Sequence, residues 1–218
     1  MNEHRQFIFR KDRIKLLQAM THKKPLIIVI SGPSGVGKDA TIANLKKSDA
    51  SFHYVVTATT RSKRTNEIDG VDYHFLSKED FEEMISNDDF LEYAMVYGNY
   101  YGVLKKDVKH ALEKGKDVII KVDVQGAKTL KKKIPDAIFI FLVPPSVEDL
   151  AERLSLRNTD SEKDLQIRLS KAAEEMKLTE MFDYVVMNCK NDLDKTTQTV
   201  QAIVTAEKCR TVQRNISL

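Results

Sequence analysis

The sequence predicts an α/β fold in which a mostly parallel sheet is covered by helices on both faces. Short branched-aliphatic runs recur along the chain and read as buried strands. Stretches of helical period separate most of them, as the crossovers of a parallel sheet require. A glycine-rich loop stands where the first such strand meets the first such helix, so it belongs to a strand–loop–helix unit rather than to an isolated turn. A length of 218 residues suits one core with insertions.

In chain order, residues 1–24 form an N-terminal extension with Phe7, Ile8, Phe9, Ile14, Leu16 and Leu17 among basic residues. It lacks the apolar core and small-residue cleavage site of a signal peptide, and Glu3 and Asp12 count against an organelle-targeting segment. A short helix packed on the body or on a second copy is expected there. Pro25–Ile30 is the first strand and Ala40–Lys47 the helix after the loop. Further strands are expected at Tyr54–Ala58, Val118–Val122, Ile138–Val143 and Tyr184–Met187. Helices are expected at Lys78–Ser86, Lys105–Glu113, Val147–Leu156, Glu162–Leu178 and Leu193–Glu207. Ser77 with Asp80, and Ser146 with Asp149, have the spacing of helix starts. Residues 55–103 break the alternation. They are rich in Thr, Arg, Tyr and Gly and hold alternating stretches at Tyr73–Leu76 and Leu91–Val96, so they read as a small mixed insertion beside the main sheet.

Composition excludes several classes. Apolar residues make up 42% and charged residues 31%, the balance of an ordinary globular chain. A net charge of +3, from 35 basic against 32 acidic side chains, is too even for nucleic-acid binding by bulk electrostatics. The Lys131–Lys133 run reads as solvated helix surface, and no nucleic-acid partner is expected. Cys189 and Cys209 provide neither a disulfide framework nor metal-site spacing, so a reducing, cytoplasmic setting is the expectation. No apolar stretch approaches membrane-spanning length, so no membrane partner is expected.

The most informative segment is Ile27–Asp39, which reads IIVISGPSGVGKD. Gly32, Gly35 and Gly37 let the backbone curl so that successive amide N–H groups converge on anionic oxygens. Lys38 adds a point charge, and the following helix presents its positive end to the same place. Gly32-x-x-x-x-Gly37-Lys38 satisfies the P-loop pattern except at its last position, where Asp39 stands for Ser or Thr. Gly32, Pro33, Ser34, Gly35, Val36, Gly37, Lys38 and Asp39 are therefore the candidates for binding a nucleoside triphosphate, taken to be ATP.

Beyond the loop, TATTRSKRTNEIDGVDYHF from Thr57, DDFLEYAMVYGNYYG at Asp88–Gly102, VIIKVDVQGA at Val118–Ala127, PPSVEDLAERL and FDYVVMN follow one another in an order that resembles guanylate kinase from about Lys24 to Lys208. The resemblance implies a three-layer P-loop NTPase fold with a core at 25–54, 104–150 and 172–208. It also implies a GMP-binding insertion at 55–103, a helical lid at 151–171 and a C-terminal tail at 209–218. The activity it implies is Mg²⁺-dependent transfer of the γ-phosphoryl of ATP to GMP. An inactive guanylate-kinase-like protein-binding module is the alternative; such modules typically lose the glycines and lysine kept here. The family contains monomers and dimers, and the extension is a candidate for pairing two copies as a homodimer.

The residues suit these roles. Arg61 and Arg64 offer two guanidinium forks to a dianionic phosphate. Tyr73 and Tyr101 can each donate a phenolic hydrogen bond to it. Glu92 offers two acceptor oxygens to the ring N–H and amine of guanine, a pair that adenine lacks. Thr57 and Asp123 stand where family members contact the guanine. Asp123-Val124-Gln125-Gly126 also fits the DxxG of GTPases, but no Asn-Lys-x-Asp accompanies it. Lys38 is the first catalytic cation, and Arg153, Arg157 and Arg168 are further candidates from the region of the lid. Asp39 is a candidate magnesium ligand, and Asp123 a candidate through water. Relative to the family pattern, Val103 replaces a hydroxyl residue that touches the base, and Lys121 replaces an acidic residue. Strand alternation predicts that Lys121 and Asp123 share a face and form an ion pair.

Overall fold

The apolar run ahead of the glycine-rich loop becomes the central strand of a five-stranded, wholly parallel sheet. The computed structural model describes residues 23–49, 51–96, 98–155 and 162–218, with side chains from 166 onward in the last stretch. β1 (Ile27–Ser31) pairs with β7 (Val118–Lys121) on one side and β8 (Ile138–Val143) on the other. β2 (His53–Tyr54) adds outside β7, and β9 (Tyr184–Met187) outside β8.

Successive side chains on a strand point to opposite faces, so β1 divides itself between two cores. Ile27 and Val29 enter one, and Ile28 and Ile30 enter the other. The first face is covered by α3 (Lys105–Glu113) and α4 (Val124–Lys133) through Val108, Ala111, Ala127 and Leu130. The second is covered by α1 (Lys38–Ser48) and α7 (Leu193–Lys208) through Leu45, Val200 and Val204. A sheet covered on both faces explains why its inner strands β1 and β8 are apolar runs rather than alternating ones. It also leaves the crevice beyond the carboxyl ends of β1 and β7 as the natural place for a ligand.

A second, four-stranded mixed sheet stands beside the first, in the order β4-β3-β6-β5. It comprises β3 (Ala58–Thr59), β4 (His74–Phe75), β5 (Phe90–Val96) and β6 (Asn99–Leu104). Its small core is aromatic: Phe81 of α2 (Lys78–Ser86) stacks on Phe90 at 4.3 Å and on Tyr100 at 5.0 Å between ring centres. Helices α5 (Val147–Ser155) and α6 (Glu162–Met176) pack through Leu150, Leu154 and Ala172.

Several elements differ from the sequence expectation. The strand expected at Tyr54–Ala58 is split between the two sheets, because the chain changes hydrogen-bond partners within it. The Val55 amide still donates to Ile119 of the main sheet, whereas the Thr57 carbonyl already accepts from His74 of the small one. Helix α4 was foreseen only at its end, where Lys131–Lys133 read as helix surface, and had no expected bounds; its buried positions include Gly126 and Ala127, too small to register as a hydrophobic stripe. The Lys131–Lys133 run on it is not simply solvated. Lys131 lies 2.9 Å from Asp183 and 4.5 Å from the centre of the Phe139 ring, and Lys133 donates to the Leu91 carbonyl at 2.7 Å, tying α4 to β5. The two helix starts are as expected: Ser77 Oγ accepts from the Asp80 amide and Ser146 Oγ from the Asp149 amide. The final residues form no helix or strand, yet Arg214 is pinned by Glu207 at 2.9 Å and by the Ala137 carbonyl at 3.2 Å. Residues 1–22, where a short helix was expected, lie outside the described residues.

Candidate active site

The glycine-rich loop takes its shape from what holds it underneath. Gly37, which precedes α1, has φ +101°, a left-handed conformation that costs other residues about 1–2 kcal/mol. A Cβ there would stand 2.4 Å from Asn188 Nδ2. That amide is buried just after β9 and donates to the Val36 carbonyl at 2.7 Å. Arg153 of α5 donates to the same carbonyl at 2.9 Å and to the Asn188 carbonyl at 2.8 Å. Val36 contributes only backbone to the loop, since its side chain is fully buried in the core. Thr41 is buried and donates back to the Gly37 carbonyl at 3.1 Å, so its hydroxyl is not at the phosphate end of α1.

Lys38 Nζ donates to the Gly32 and Pro33 carbonyls at 2.6 and 3.2 Å. Burial pulls its ammonium down to a pKa of about 8, against the opposing fields of Asp39, Glu175 and Asp123. An anion bound beside it would favour the charged form.

One cleft runs from this loop to the small sheet. On the loop side it is lined by Gly32, Ser34, Gly35, Gly37, Lys38 and Asp39. From the small sheet, its neighbouring loops and the end of β7 it is lined by Thr57, Arg61, Arg64, Tyr73, Glu92, Tyr101 and Asp123. Thus all seven residues expected on the acceptor side line the same cleft as the loop. Tyr73 and Tyr101 meet edge to face at 6.2 Å. The Arg61 guanidinium lies 5.3 Å from the centre of the Tyr73 ring and is held two-pronged by Glu67 at 2.7 and 3.1 Å. Glu67 also accepts from the Arg64 amide at 2.8 Å, so one carboxylate shapes the whole turn that carries both arginines.

Glu92 is 3% exposed, and burial, followed by the nearby Asp123 charge, pushes its carboxyl up to a pKa of about 8. It stands beside Gly126 in the first turn of α4, where a Cβ would lie 2.7 Å from Oε1. Only glycine lets helix and carboxyl come so near. Asp123 is the N-cap of that helix and accepts from the Gly126 amide at 2.8 Å. Val103, opposite Glu92 on β6, is fully buried in the core and does not line the cleft.

The expected Lys121–Asp123 ion pair is absent. β7 ends at Lys121, so the alternation that would align the two residues stops before Asp123 is reached. Lys121 instead meets Asp39 at 2.5 Å and donates to the Tyr73 hydroxyl at 3.2 Å. Burial disfavours its charge, but Asp39 and Tyr73 more than compensate and hold its pKa above the usual lysine value.

Of the expected catalytic arginines, Arg168 of α6 lines the cleft. Arg153 does not; its N–H groups serve the backbone beneath the loop, where its position on α5 brings it. Arg157 lies outside the described residues. Sequence reasoning missed Lys171 and Glu175, which also line the cleft. Glu175 takes a hydrogen bond from the Ser34 amide and feels Lys38, yet burial still raises its pKa and its Oε2 has no partner. Only their spacing from Arg168, at three and seven residues on one helical face, hinted at them.

The carboxylates also bear on whether a cation fits. Among the described residues no three His, Cys, Asp or Glu side chains form a metal cage. Magnesium does not require one, since it keeps waters and takes one or two carboxylates plus phosphate oxygens. Asp39, at the mouth and 73% exposed, is a donor of the right kind, and Asp123 is a second within the cleft.

The guanylate kinase family model matches residues 23–207. A guanylate kinase of Carboxydothermus hydrogenoformans is 44% identical over 187 residues, covering 86% of this chain and 91% of that protein. A chloroplastic/mitochondrial guanylate kinase 2 of Oryza sativa is 45% identical over 196 residues, covering 89% of this chain and 69% of that one. Among solved structures, a guanylate kinase of Anaplasma phagocytophilum superposes with a TM-score of 0.72 at 32% identity, covering 87% of this chain and 89% of that chain.

Proposed function

This chain belongs to the guanylate kinase family, and we propose that its cleft transfers the γ-phosphoryl of ATP to GMP, and to dGMP, giving ADP and GDP for purine nucleotide metabolism. The observation that carries the reading is convergence: the loop with Lys38 and the Arg61, Arg64, Tyr73, Tyr101 and Glu92 set line one cleft. Use of dGMP follows because none of these residues has the task of reading the ribose. An inactive binding module is not favoured, since Lys38 and all three loop glycines are kept.

On this reading, the amides of residues 32–39 and the Lys38 ammonium hold the triphosphate. Arg61 and Arg64 pair with the acceptor phosphate while Tyr73 and Tyr101 donate to it. Glu92 accepts the two N–H groups on one edge of guanine in its ionised form, with Thr57 and Asp123 beside it. The acceptor phosphate is already an anionic nucleophile, so no side chain has to remove a proton. What the residues must do is align the two phosphates and spread charge as the phosphoryl group moves. Lys38 and Arg168 supply protein cations for this, with Arg157 a third from outside the described residues. Mg²⁺, held by phosphate oxygens and water with Asp39 and, through water, Asp123, would neutralise phosphate charge when bound. Residues 151–171 act as a lid that excludes water, which would otherwise accept the phosphoryl group.

The test is a coupled assay of ADP formation by the full chain with ATP and Mg²⁺, with and without GMP, and with dGMP, AMP and UMP as alternative acceptors. ADP formation that depends on GMP or dGMP, and is weak with AMP and UMP, is the expected result. No GMP-dependent turnover, or equal use of AMP, would overturn the reading.

A further inference from the structure

Lys121 occupies a position that neither half of the cleft accounts for. Its ammonium lies 2.5 Å from Asp39, the first residue after the loop lysine. It also donates to the Tyr73 hydroxyl at 3.2 Å and stands 4.9 Å from the centre of that ring. Arg61 stands over the same ring at 5.3 Å. Tyr73 therefore gathers two cations, one from β7 and one from the turn after β3. Each cation also has a carboxylate partner, Asp39 for Lys121 and Glu67 for Arg61, which fixes its place beside the ring.

The hydrogen-bond arithmetic points to a further acceptor. A lysine ammonium has three donors, of which Asp39 and Tyr73 take two. The Tyr73 oxygen accepts from Lys121, so its own proton remains available to a further acceptor, and the ammonium makes that O–H a stronger donor. Lysine is a flexible point charge that loses rotamer freedom when it binds, and the Asp39 tether removes part of that cost beforehand. The pairing also resolves the oddity of a carboxylate at residue 39, beside the triphosphate: the adjacent protein cation offsets its charge.

We propose that Lys121 is a phosphate-binding residue of the acceptor side, donating to the acceptor nucleotide's phosphate together with Tyr73, and that Asp39 is the positioning residue that aims it. The proposal rests on the GMP-phosphorylating reading above. It also makes residues 39 and 121 a unit, so that an aspartate after the loop lysine requires a lysine at the end of β7.

The experiment compares the full chain with Lys121→Met, Lys121→Arg, Asp39→Asn and the double variant Asp39→Asn/Lys121→Met. GMP binding is measured by calorimetry without metal or ATP, alongside steady-state kinetics and melting. Loss of a charged hydrogen bond predicts about a 10–100-fold weaker GMP affinity and a matching rise in KM for GMP in Lys121→Met, with KM for ATP within about twofold. Lys121→Arg recovers most of the affinity. Asp39→Asn weakens GMP binding less than Lys121→Met does, and the double variant is no weaker than Lys121→Met alone, because the tether has nothing left to aim. Should Lys121→Met fail to melt cooperatively, Lys121→Arg and Asp39→Asn decide, and unchanged GMP affinity in Asp39→Asn overturns the proposal. Unchanged GMP affinity in a folded Lys121→Met also overturns it. So does a shifted Mg²⁺ requirement with unaltered GMP binding, which would make Lys121 a partner of the metal ligand. If the unaltered chain binds GMP and turns it over while Lys121→Met does so equally well, only this inference falls. If the unaltered chain does neither, the functional reading falls with it.

Discussion

The two walls of the cleft are built on opposite plans. The triphosphate wall of the proposed reading is eight consecutive residues, 32–39, which would act mostly through backbone amides and whose shape is set from below by Asn188 and Arg153. The acceptor wall of that reading is a set of side chains drawn from Thr57 to Asp123, on strands of both sheets and the loops beside them, several of them placed by a neighbour. Glu67 aims Arg61, Gly126 makes room for Glu92, and Asp39 holds Lys121. On the proposed reading the first wall works through its amides, so it should depend less on side chains than on backbone shape. The second wall inverts that: its backbone has latitude, and single side-chain atoms decide its performance.

The largest expected effect comes from forcing a Cβ into the first wall. Gly37→Ala meets both the left-handed φ and the Asn188 amide, so the loop must shift. Displacement of catalytic groups by about 1 Å costs on the order of 100-fold in rate, so turnover should fall at least that far, with weaker ATP binding and a lower melting temperature. Retention of wild-type KM for ATP would break the contrast between the walls.

Glu92→Gln tests the second wall at one atom. GMP affinity should fall about 10–100-fold, because an amide cannot accept both guanine N–H groups, while ATP binding stays unchanged. The same residue predicts a pH effect. Its acid form prevails below about 8 in the free protein, whereas guanine requires the ionised form, so protons compete with GMP. KM for GMP should drop by up to about tenfold per unit as pH rises from roughly 6 toward 8, then level. In Glu92→Gln this slope should be lost; a slope that persists would place the titration elsewhere.

The smallest effect is expected from Gly126→Ala, in the first turn of α4. The added methyl would stand 2.7 Å from Glu92 Oε1, 2.9 Å from its Cδ and 3.0 Å from Val122 Cβ, so the buried carboxyl must shift, while alanine favours the helix by up to about 1 kcal/mol. A few-fold rise in KM for GMP, with unchanged ATP kinetics and little change in melting, would sharpen the contrast. An equal effect on both nucleotides would blur it.

What was legible in the chain divides along the same line. Ile138–Val143, Tyr184–Met187 and the helices Lys78–Ser86 and Lys105–Glu113 coincide with their sequence bounds, because apolar runs and helical period are local signals. The loop was legible because its glycines and lysine are contiguous. The acceptor residues could be nominated only through a resemblance spanning several motifs, since Arg61, Glu92 and Tyr101 carry no local signature. The split of Tyr54–Ala58 between two sheets depends on which distant strands lie alongside, whereas the bounds of helix α4 were missed because its buried positions include Gly126 and Ala127, too small to mark a stripe.

The sequence by itself determined the layered α/β architecture, the phosphate loop and the family, because period, glycine placement and ordered motifs are properties of the chain read in one dimension. Only the tertiary structure decided that Lys121 pairs with Asp39 rather than Asp123, that Arg153 braces the loop, and that Glu92 is buried beside Gly126 with its pKa raised. Charge pairing and desolvation are set by distance and burial, and neither quantity exists until residues far apart in the chain are folded together.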